Sequence, residues 1–463
     1  MKKRIIPWII IITVVVLGIS AAGFYAYRNA EKLFGVGFDD MVSMLLTGKV
    51  ESTEDTEASE AIENSTEQNV LDSSRTCDSY EQFASDSLIL DPKYSAVRST
   101  IYDNMEEYCL QGTVLVGVGD DIVYVESFGK ASEWDDIDNT NTTRYGIASL
   151  SKSFTAAAIM QLHEEGKLDV NDTIDKYFPD YAYGSEITIL ELLQMRSGII
   201  DYLNDMDEYM TVEDSKAIYE AYVENEDWKG LDEYPWTRED MLKNLYNNDL
   251  KFEPDERYAY SNTNYYLLGC IVEQASGMDY DTYITENILE PCHMSSSNLA
   301  PMEGDAIGYI RNEGFVSSSR ETLFAAGGIR SNAFDMFSWM RNLSKGNIIS
   351  EESFATMIDV EEVAIKNQQY YEREQERLRE ELGEEYEEPE VDPDFVPTYY
   401  GCGLMVTGPV VWHRGYIDGF ASYMSVDMET DVTIIILTNT GEERVTKNLE
   451  ELVEDIREAM DSL

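Results

Sequence analysis

Three groups of residues have the types and spacing for nucleophilic catalysis. The first is Ser149-Leu-Ser-Lys152, within Tyr145-Gly-Ile-Ala-Ser-Leu-Ser-Lys-Ser-Phe-Thr-Ala-Ala-Ala-Ile159. From Phe154 to Leu162 the residues are nearly all apolar or small, the pattern of a buried helix. Polar groups at the start of such a helix need partners or a task. Residues three apart share a helical face, so the Ser149 hydroxyl and the Lys152 amine point the same way. The helix N-terminus adds N–H donors and positive dipole at the serine. A nucleophile, a proton acceptor or electrostatic partner, and part of an oxyanion site are thereby brought together. Ser-x-x-Lys alone is expected about once by chance in a chain of this length. Ser127-Phe-Gly-Lys130, at a strand end, is such an instance.

The second group is Tyr260-Ser-Asn262. Tyr-x-Asn also occurs at Tyr27, Tyr102, Tyr202 and Tyr246, and only its setting distinguishes Tyr260: a Pro-containing turn, Phe252-Glu-Pro-Asp255, before it and an apolar helix, Tyr265 to Glu273, after it. A tyrosine, with a reference pKa of about 10, acts as a base only where cations stabilise its anion. Lys152 either provides that stabilisation or shares the proton, and Asn262 orients substrate or lysine. The third group is Trp412-His-Arg-Gly415, followed by Tyr416. His413 opens the chain's one His-x-Gly. Gly415 lets substrate or backbone approach closely, and the Tyr416 N–H is the candidate second oxyanion donor beside that of Ser149. Taken singly, Tyr260 is better explained as a tyrosine packed against the following helix, and His413 as a surface histidine at a strand end; His163 and His293 are assigned only structural roles.

The elements that must carry these groups are legible in outline. Pro92 to Tyr108 is expected to be helical. Val114–Val118 and Ile122–Phe128 form a hairpin across Gly119-Asp-Asp121. Helical segments run from Ser149 to about Ser344. Strands return at Tyr400–Val406, Val410–His413, Phe420–Asp427 and Val432–Thr438, and a last helix spans about Arg444 to Met460. Strands at both ends with helices between predict one sheet closed by both ends of the chain, plus a helical lobe, with the site in the cleft between them. Asp201 to Tyr234, acidic and Tyr-rich, is expected as a lid. Glu361 to Pro397 contains Gln375-Glu-Arg-Leu-Arg-Glu-Glu-Leu-Gly-Glu-Glu385, a charged helix with almost no apolar face, expected to be solvated and peripheral.

Composition bounds the function. The 463 residues carry a formal charge of −56, with 43% hydrophobic and 11% aromatic residues. Such a surface argues against nucleic acid and anionic lipid as partners. Lys2-Lys-Arg4 precedes an uncharged apolar stretch, Ile5 to Tyr27, long enough to span a bilayer. The positive flank predicts a cytoplasmic residue 1–4 segment and an external remainder; a signal peptide cleaved near Ser20-Ala-Ala22 is the alternative. Residues 28–79 form a juxtamembrane segment and, from Glu51 to Ser74, an acidic stalk too poor in apolar residues to fold. The folded domain is assigned to residues 80–463. Five cysteines and three histidines show no CxxC spacing, so no metal site is expected. Cys270 and Cys402 are assigned to the core, and Cys77 and Cys109 are a candidate external pair.

Together and in this order, Ser149-Leu-Ser-Lys152, Tyr260-Ser-Asn262 and His413-Arg-Gly415 resemble the serine β-lactamase-related family: class C β-lactamases, penicillin-binding-type D-peptidases and related esterases. Gly166-Lys-Leu-Asp-Val-Asn-Asp172, Leu192-Leu-Gln-Met-Arg-Ser-Gly-Ile199 and Ala326-Gly-Gly-Ile-Arg-Ser-Asn332 add to the likeness, which spans about Gly112 to Thr440. The resemblance implies an α/β (α+β) fold of the β-lactamase/transpeptidase type, an antiparallel sheet flanked by terminal helices plus a helical lobe. It implies an acyl-enzyme mechanism without a cofactor, Ser149 being the nucleophile and Tyr260 and Lys152 the proton-handling pair, with Asn262, His413 and Gly415 binding substrate. Three positions depart from the family pattern: His413 where β-lactam-processing members carry Lys, Met195 where His is usual, and Asp255 where Gly is usual. The reading is a membrane-anchored extracellular serine hydrolase acting on esters, amides or D-amino-acid peptides, cell-wall peptides among them. Its rivals are an idle scaffold on the same fold, a true β-lactamase or D-Ala-D-Ala carboxypeptidase, and, more weakly, a metal hydrolase.

Overall fold

The computed structural model describes residues 89–108, 111–205, 209–210, 237–310, 313–315, 320–383, 386, 395–441 and 443–463. The fold lies in one unit, Asp78–Asn204 with Glu220–Leu463; the other unit, Met1–Cys77 with Asp205–Tyr219, falls almost wholly outside the described residues. So do Lys2-Lys-Arg4, Ile5 to Tyr27, residues 28–79, Cys77, Cys109 and most of the expected lid at 201–234. Among the described residues no helix is long and apolar enough to cross a membrane.

An eight-stranded antiparallel sheet organises the molecule. Its strands are β1 (Ile89–Leu90), β2 (Gly112–Val118), β3 (Asp121–Phe128), β4 (Thr398–Tyr400), β5 (Met405–Thr407), β6 (Val410–Ile417), β7 (Phe420–Asp427) and β8 (Val432–Thr438). Their order across the sheet is β1-β3-β2-β8-β7-β6-β5-β4. The β-rich runs on either side of Gly119 pair as the expected hairpin, and Gly119 takes the left-handed φ of 61° that the tight turn requires. Strand β8 joins the two ends of the chain, pairing Thr438 with Gly112 and Val432 with Val118. The expected strand Tyr400–Val406 is instead split into β4 and β5. Gly403 interrupts it at φ 71°, where an added Cβ would stand 2.7 Å from the Lys152 carbonyl oxygen.

The central strands are apolar on both sides because both faces are covered. Helix α1 (Ser95–Tyr108) and the C-terminal helix α7 (Glu443–Asp461) pack together on the outer face, with α7 against β6 and β7. On the inner face, α5 (Ala333–Ser344) lies against β2, β7 and β8. Behind it stands α2 (Ser151–Glu164), joined to α5 by the stacked rings of Phe154 and Trp339, 3.9 Å apart. The Trp339 Nε1–H donates to Ser153 Oγ at 2.9 Å, so the polar groups in the first turn of this buried helix are partnered. Helices α3 (Asn262–Ser276) and α4 (Arg320–Gly327) complete the helical side, both against α2. Cys270, Cys292 and Cys402 are buried free thiols. Burial pushes each of them up to about 12, consistent with core packing.

The charged helix exists as α6 (Glu361–Leu382), but it is not merely peripheral. Val363 is fully buried, and Lys366 and Asn367 contact the turn ahead of Tyr260. Those contacts are ionic and hydrogen-bonded, so no apolar stripe marked them in the sequence.

Candidate active site

Ser149 stands in a 3-10 turn, Ala148–Leu150, that runs directly into α2. Its N–H belongs to the first turn and so has no intrahelical acceptor. Two groups converge on its hydroxyl: Lys152 Nζ at 3.1 Å, one turn along, and the Tyr260 O–H at 2.8 Å. Tyr260 lies two residues before α3, whose first residue is Asn262. The three sequence groups thus meet in a cleft of about 320 Å³ whose lining includes Ser149, Tyr260, Asn262, His413 and Tyr416. Ser127 and Lys130 do not meet. The Ser127 hydroxyl donates to Asn141 at 2.7 Å, whereas Lys130 pairs with Asp138 and Asp136.

Lys152 is fully buried, and its amine donates to the Asn262 Oδ1 at 2.8 Å and to the Ala326 carbonyl at 2.7 Å. Both are acceptors only. When the amine is neutral, its two N–H groups serve them and its lone pair is left for the Ser149 hydroxyl. Burial lowers the Lys152 pKa to about 7, opposed by the charge of Asp201. The Asn262 amide is held in the required orientation because its Nδ2 donates to both carboxylate oxygens of Asp201, at 3.2 and 3.0 Å. Asp201 is buried, and the Leu203 N–H and the Asn204 side chain also donate to it. It is a supporting group of the site, at the start of the expected lid segment, most of which lies outside the described residues. Burial raises the Tyr260 pKa above its ordinary value, so the phenol holds its proton. Of the pair, Lys152 is the one whose pKa lies where a neutral acceptor is available near neutral pH.

Strand β6 forms the opposite wall. It pairs with β7 along its whole length but with β5 only over Val410–Trp412, so among the described residues no strand pairs with that edge from His413 onward. The two-residue turn after Ile417 makes Ile417–Phe420 a hydrogen-bonded pair, and antiparallel alternation then turns the N–H of Tyr416 away from β7, toward that edge. Gly415 faces the Ser149 turn, and an added Cβ there would lie 2.5 Å from the Ile147 carbonyl oxygen and 2.4 Å from Ser422 Oγ. Only glycine lets strand and turn approach so closely. Neighbouring Ser422 donates to the same Ile147 carbonyl at 2.8 Å.

His413 differs from its expected part. It is buried, and its Nδ1 lies 2.6 Å from the Arg414 carbonyl oxygen, an acceptor, so Nδ1 carries the proton. Nε2 then accepts from the Tyr400 hydroxyl at 3.2 Å. Burial, reinforced by the Lys152 charge, lowers the His413 pKa to about 3. The ring is neutral and both nitrogens are engaged within the protein, which leaves no N–H for a substrate. Arg414, exposed at the cleft's lining, pairs with Glu450 of α7.

The other two departures sit at left-handed backbone positions, Met195 at φ 58° and Asp255 at φ 66°. Glycine suits such a position best. Asp255 instead contributes a carboxylate, which pairs with Arg196 and Lys366. Asp201, the Ala326 carbonyl and Tyr400 are the members of the site that motif spacing did not single out.

A family model described as Beta-lactamase matches residues 97–456. Penicillin-binding protein 4* of Bacillus subtilis is 34% identical over 221 residues, 46% of this chain and 44% of that protein. The putative penicillin-binding protein PbpX of the same organism is 27% identical over 266 residues, 56% of this chain and 61% of that protein. The chain therefore spans about half the length of these curated relatives. In solved structures, the D-amino acid amidase of Ochrobactrum anthropi SV3 superposes with a TM-score of 0.62 at 22% identity, over 80% of this chain and 99% of that one. The octameric penicillin-binding protein homologue from Pyrococcus abyssi superposes with a TM-score of 0.56 at 26% identity, over 74% and 73%. With the family model matched from before the first central strand into the last helix, the chain belongs to the beta-lactamase family, the serine β-lactamase-related group that its three motifs resemble.

Proposed function

We propose that the protein is a serine hydrolase that works through a covalent acyl-enzyme. The observation that carries this reading is Ser149 Oγ held between Lys152 Nζ at 3.1 Å and Tyr260 O–H at 2.8 Å. Neutral Lys152 takes the Ser149 proton as Oγ attacks the acyl carbon. The oxyanion that forms is received by the N–H groups of Ser149 and Tyr416. As the bond to the leaving group breaks, that group takes a proton from Tyr260, which is restored from the Lys152 ammonium. Water then attacks the ester on Ser149 as Lys152 accepts its proton, and as the bond to Ser149 Oγ breaks, Oγ takes that proton back from Lys152 and the acid is released.

Neutral acyl esters and amides, including those of D-amino acids, are the proposed substrates. The walls of the cleft include Leu203, Leu323, Met405 and Ile417. The third-motif residue that would anchor a substrate carboxylate is the neutral, fully engaged His413. We also propose that Ile5 to Tyr27 anchors the chain in the membrane, with the hydrolase outside the cell. The support is the uncharged length of that stretch and the Lys2-Lys-Arg4 flank.

Labelling with a fluorophosphonate or a fluorescent penicillin, followed by mapping of the adduct, tests the assignment. Ser149→Ala should abolish the adduct with the fold intact, and Ser127→Ala should label as the wild type does. An adduct that persists in Ser149→Ala would place the nucleophile elsewhere.

A further inference from the structure

The turn that delivers Tyr260 is held from two sides. On one side lies the segment from Met195 to Gly198, whose carbonyls accept from Asp255 N at 2.8 Å (Arg196 O), from Ala259 N at 2.9 Å (Met195 O) and from Lys251 N at 2.8 Å (Gly198 O). On the other side lies α6. Asn367 Oδ1 accepts from the Tyr258 N–H at 3.2 Å, Lys366 pairs with Asp255, and Arg373 lies 3.5 Å from Glu256. Arg257 of the same turn sits over the ring of Tyr370, 5.6 Å from its centre. Every residue of the turn that α6 holds falls between Asp255 and Tyr258, within five residues of Tyr260.

The consequences reach the nucleophile through aromatic contacts. The Tyr258 and Tyr260 rings both pack on Tyr400, at 5.8 and 5.9 Å, and Tyr400 also bonds His413. Tyr400 ends β4, the strand that follows α6 in the chain. The helix therefore bears on the Tyr260 side of the cleft both directly and through the strand after it. Asp255 fits the same picture: it keeps a carboxylate at a left-handed position, and that carboxylate ties Arg196 of one flank to Lys366 of the other.

We infer that α6 is a positioning element for catalysis, with Lys366 and Asn367 as the positioning residues that hold the turn from Asp255 to Tyr258 and so set the reach of Tyr260 to Ser149. The inference rests on the proposed roles of Ser149 and Tyr260. A displacement of about 1 Å at such a group is enough to cost about 10²-fold in rate.

The test uses the full chain, with Lys366→Met/Asn367→Ala as the variant. Arg377→Gln is the control, since Arg377 pairs only with Glu374 and Glu381 of its own helix among the described residues. A chromogenic neutral ester gives kcat and KM, a fluorophosphonate gives the acylation rate, and thermal unfolding gives Tm. The double variant should lose about tenfold or more in acylation rate and kcat with KM unchanged, and the control should match the wild type. Asn367→Asp keeps an acceptor for the Tyr258 N–H and should retain activity, whereas Asn367→Leu should not. This pair carries the test if the double variant fails to fold. Wild-type kcat at a lowered Tm would overturn the inference, leaving α6 a stabilising helix only. A wild-type protein that never labels would overturn the acyl-enzyme reading and this inference with it; a labelled wild type with an unaffected variant overturns only the latter.

Discussion

Lys152 is buried with three oxygens around its amine and, among the described residues, no carboxylate as a hydrogen-bond partner, and this sets the pH behaviour expected of the site. Its pKa, lowered by burial to about 7, makes the neutral amine available near neutral pH. Acylation of a neutral ester should therefore rise along an acid limb centred near pH 7. The charge of Asp201 raises the Lys152 pKa, so Asp201→Asn, which keeps the shape and one acceptor, should move that limb to lower pH. A limb that does not move would assign the titration to another group. His413, at about 3, should add no inflection between pH 5 and 8. Ser149, Lys152, Tyr260 and Asn262 were legible in the sequence because a motif fixes their spacing. Asp201 and the Ala326 carbonyl act across 61 and 174 residues of chain, and no local pattern marks such a pair. The engagement of His413 was hidden for a related reason: its tautomer depends on a neighbouring carbonyl and on Tyr400, which only folding brings to it.

At the scale of elements, the approach of β6 to the Ser149 turn is what joins the two halves of the site. Gly415→Ala would put a methyl group 2.5 Å from a backbone oxygen and 2.9 Å from Leu150 Cδ1, so strand and turn must part. Overpacking of this kind costs about 1–3 kcal/mol, while a shift of about 1 Å between nucleophile and oxyanion donor costs about 10²-fold in rate. The expected outcome is a modest loss of Tm beside a much larger loss of acylation, read by thermal unfolding and probe labelling on the same preparation. Near-wild-type acylation would mean that the Tyr416 N–H is not part of the oxyanion site. The strands around Gly415 were largely foreseen, because apolar alternation and turn residues bound them: β7 and β8 fall where expected, while β6 runs on past His413 to Ile417. The break between β4 and β5 was not foreseen, since Gly403 yields there to the backbone of α2 and nothing in its own neighbourhood records that contact. Helix α6 was foreseen as a helix but not as a neighbour of the site, because its contacts are charges and amides meeting a turn.

At the scale of the whole molecule, the proposed anchor and the charge make separate demands. If Ile5 to Tyr27 spans the membrane with Lys2-Lys-Arg4 inside, protease added to intact cells should release the domain by cutting within Glu51–Ser74; a protected domain, or one free in the cytosol, would overturn the anchor. The formal charge of −56 acts on the substrate. A field of this sign slows the approach of anions and leaves neutral molecules unaffected. A penicillin carries a carboxylate and a simple acyl ester does not; of the third motif, His413 is neutral and the Arg414 charge is paired with Glu450. Salt shortens the reach of the field, from a screening length of about 30 Å at about 0.01 M to about 8 Å at about 0.15 M. Across that range kcat/KM for penicillin should rise, by roughly threefold or more, while the value for a neutral ester stays flat. The two substrates, assayed side by side against salt at fixed pH, separate this field effect from any general effect of salt on the enzyme. Parallel curves would show that the negative charge lies away from the approach to Ser149. A penicillin rate that falls with salt would reveal a cation guiding the carboxylate, and Arg414, paired with Glu450 beside the cleft, would be the first residue to replace.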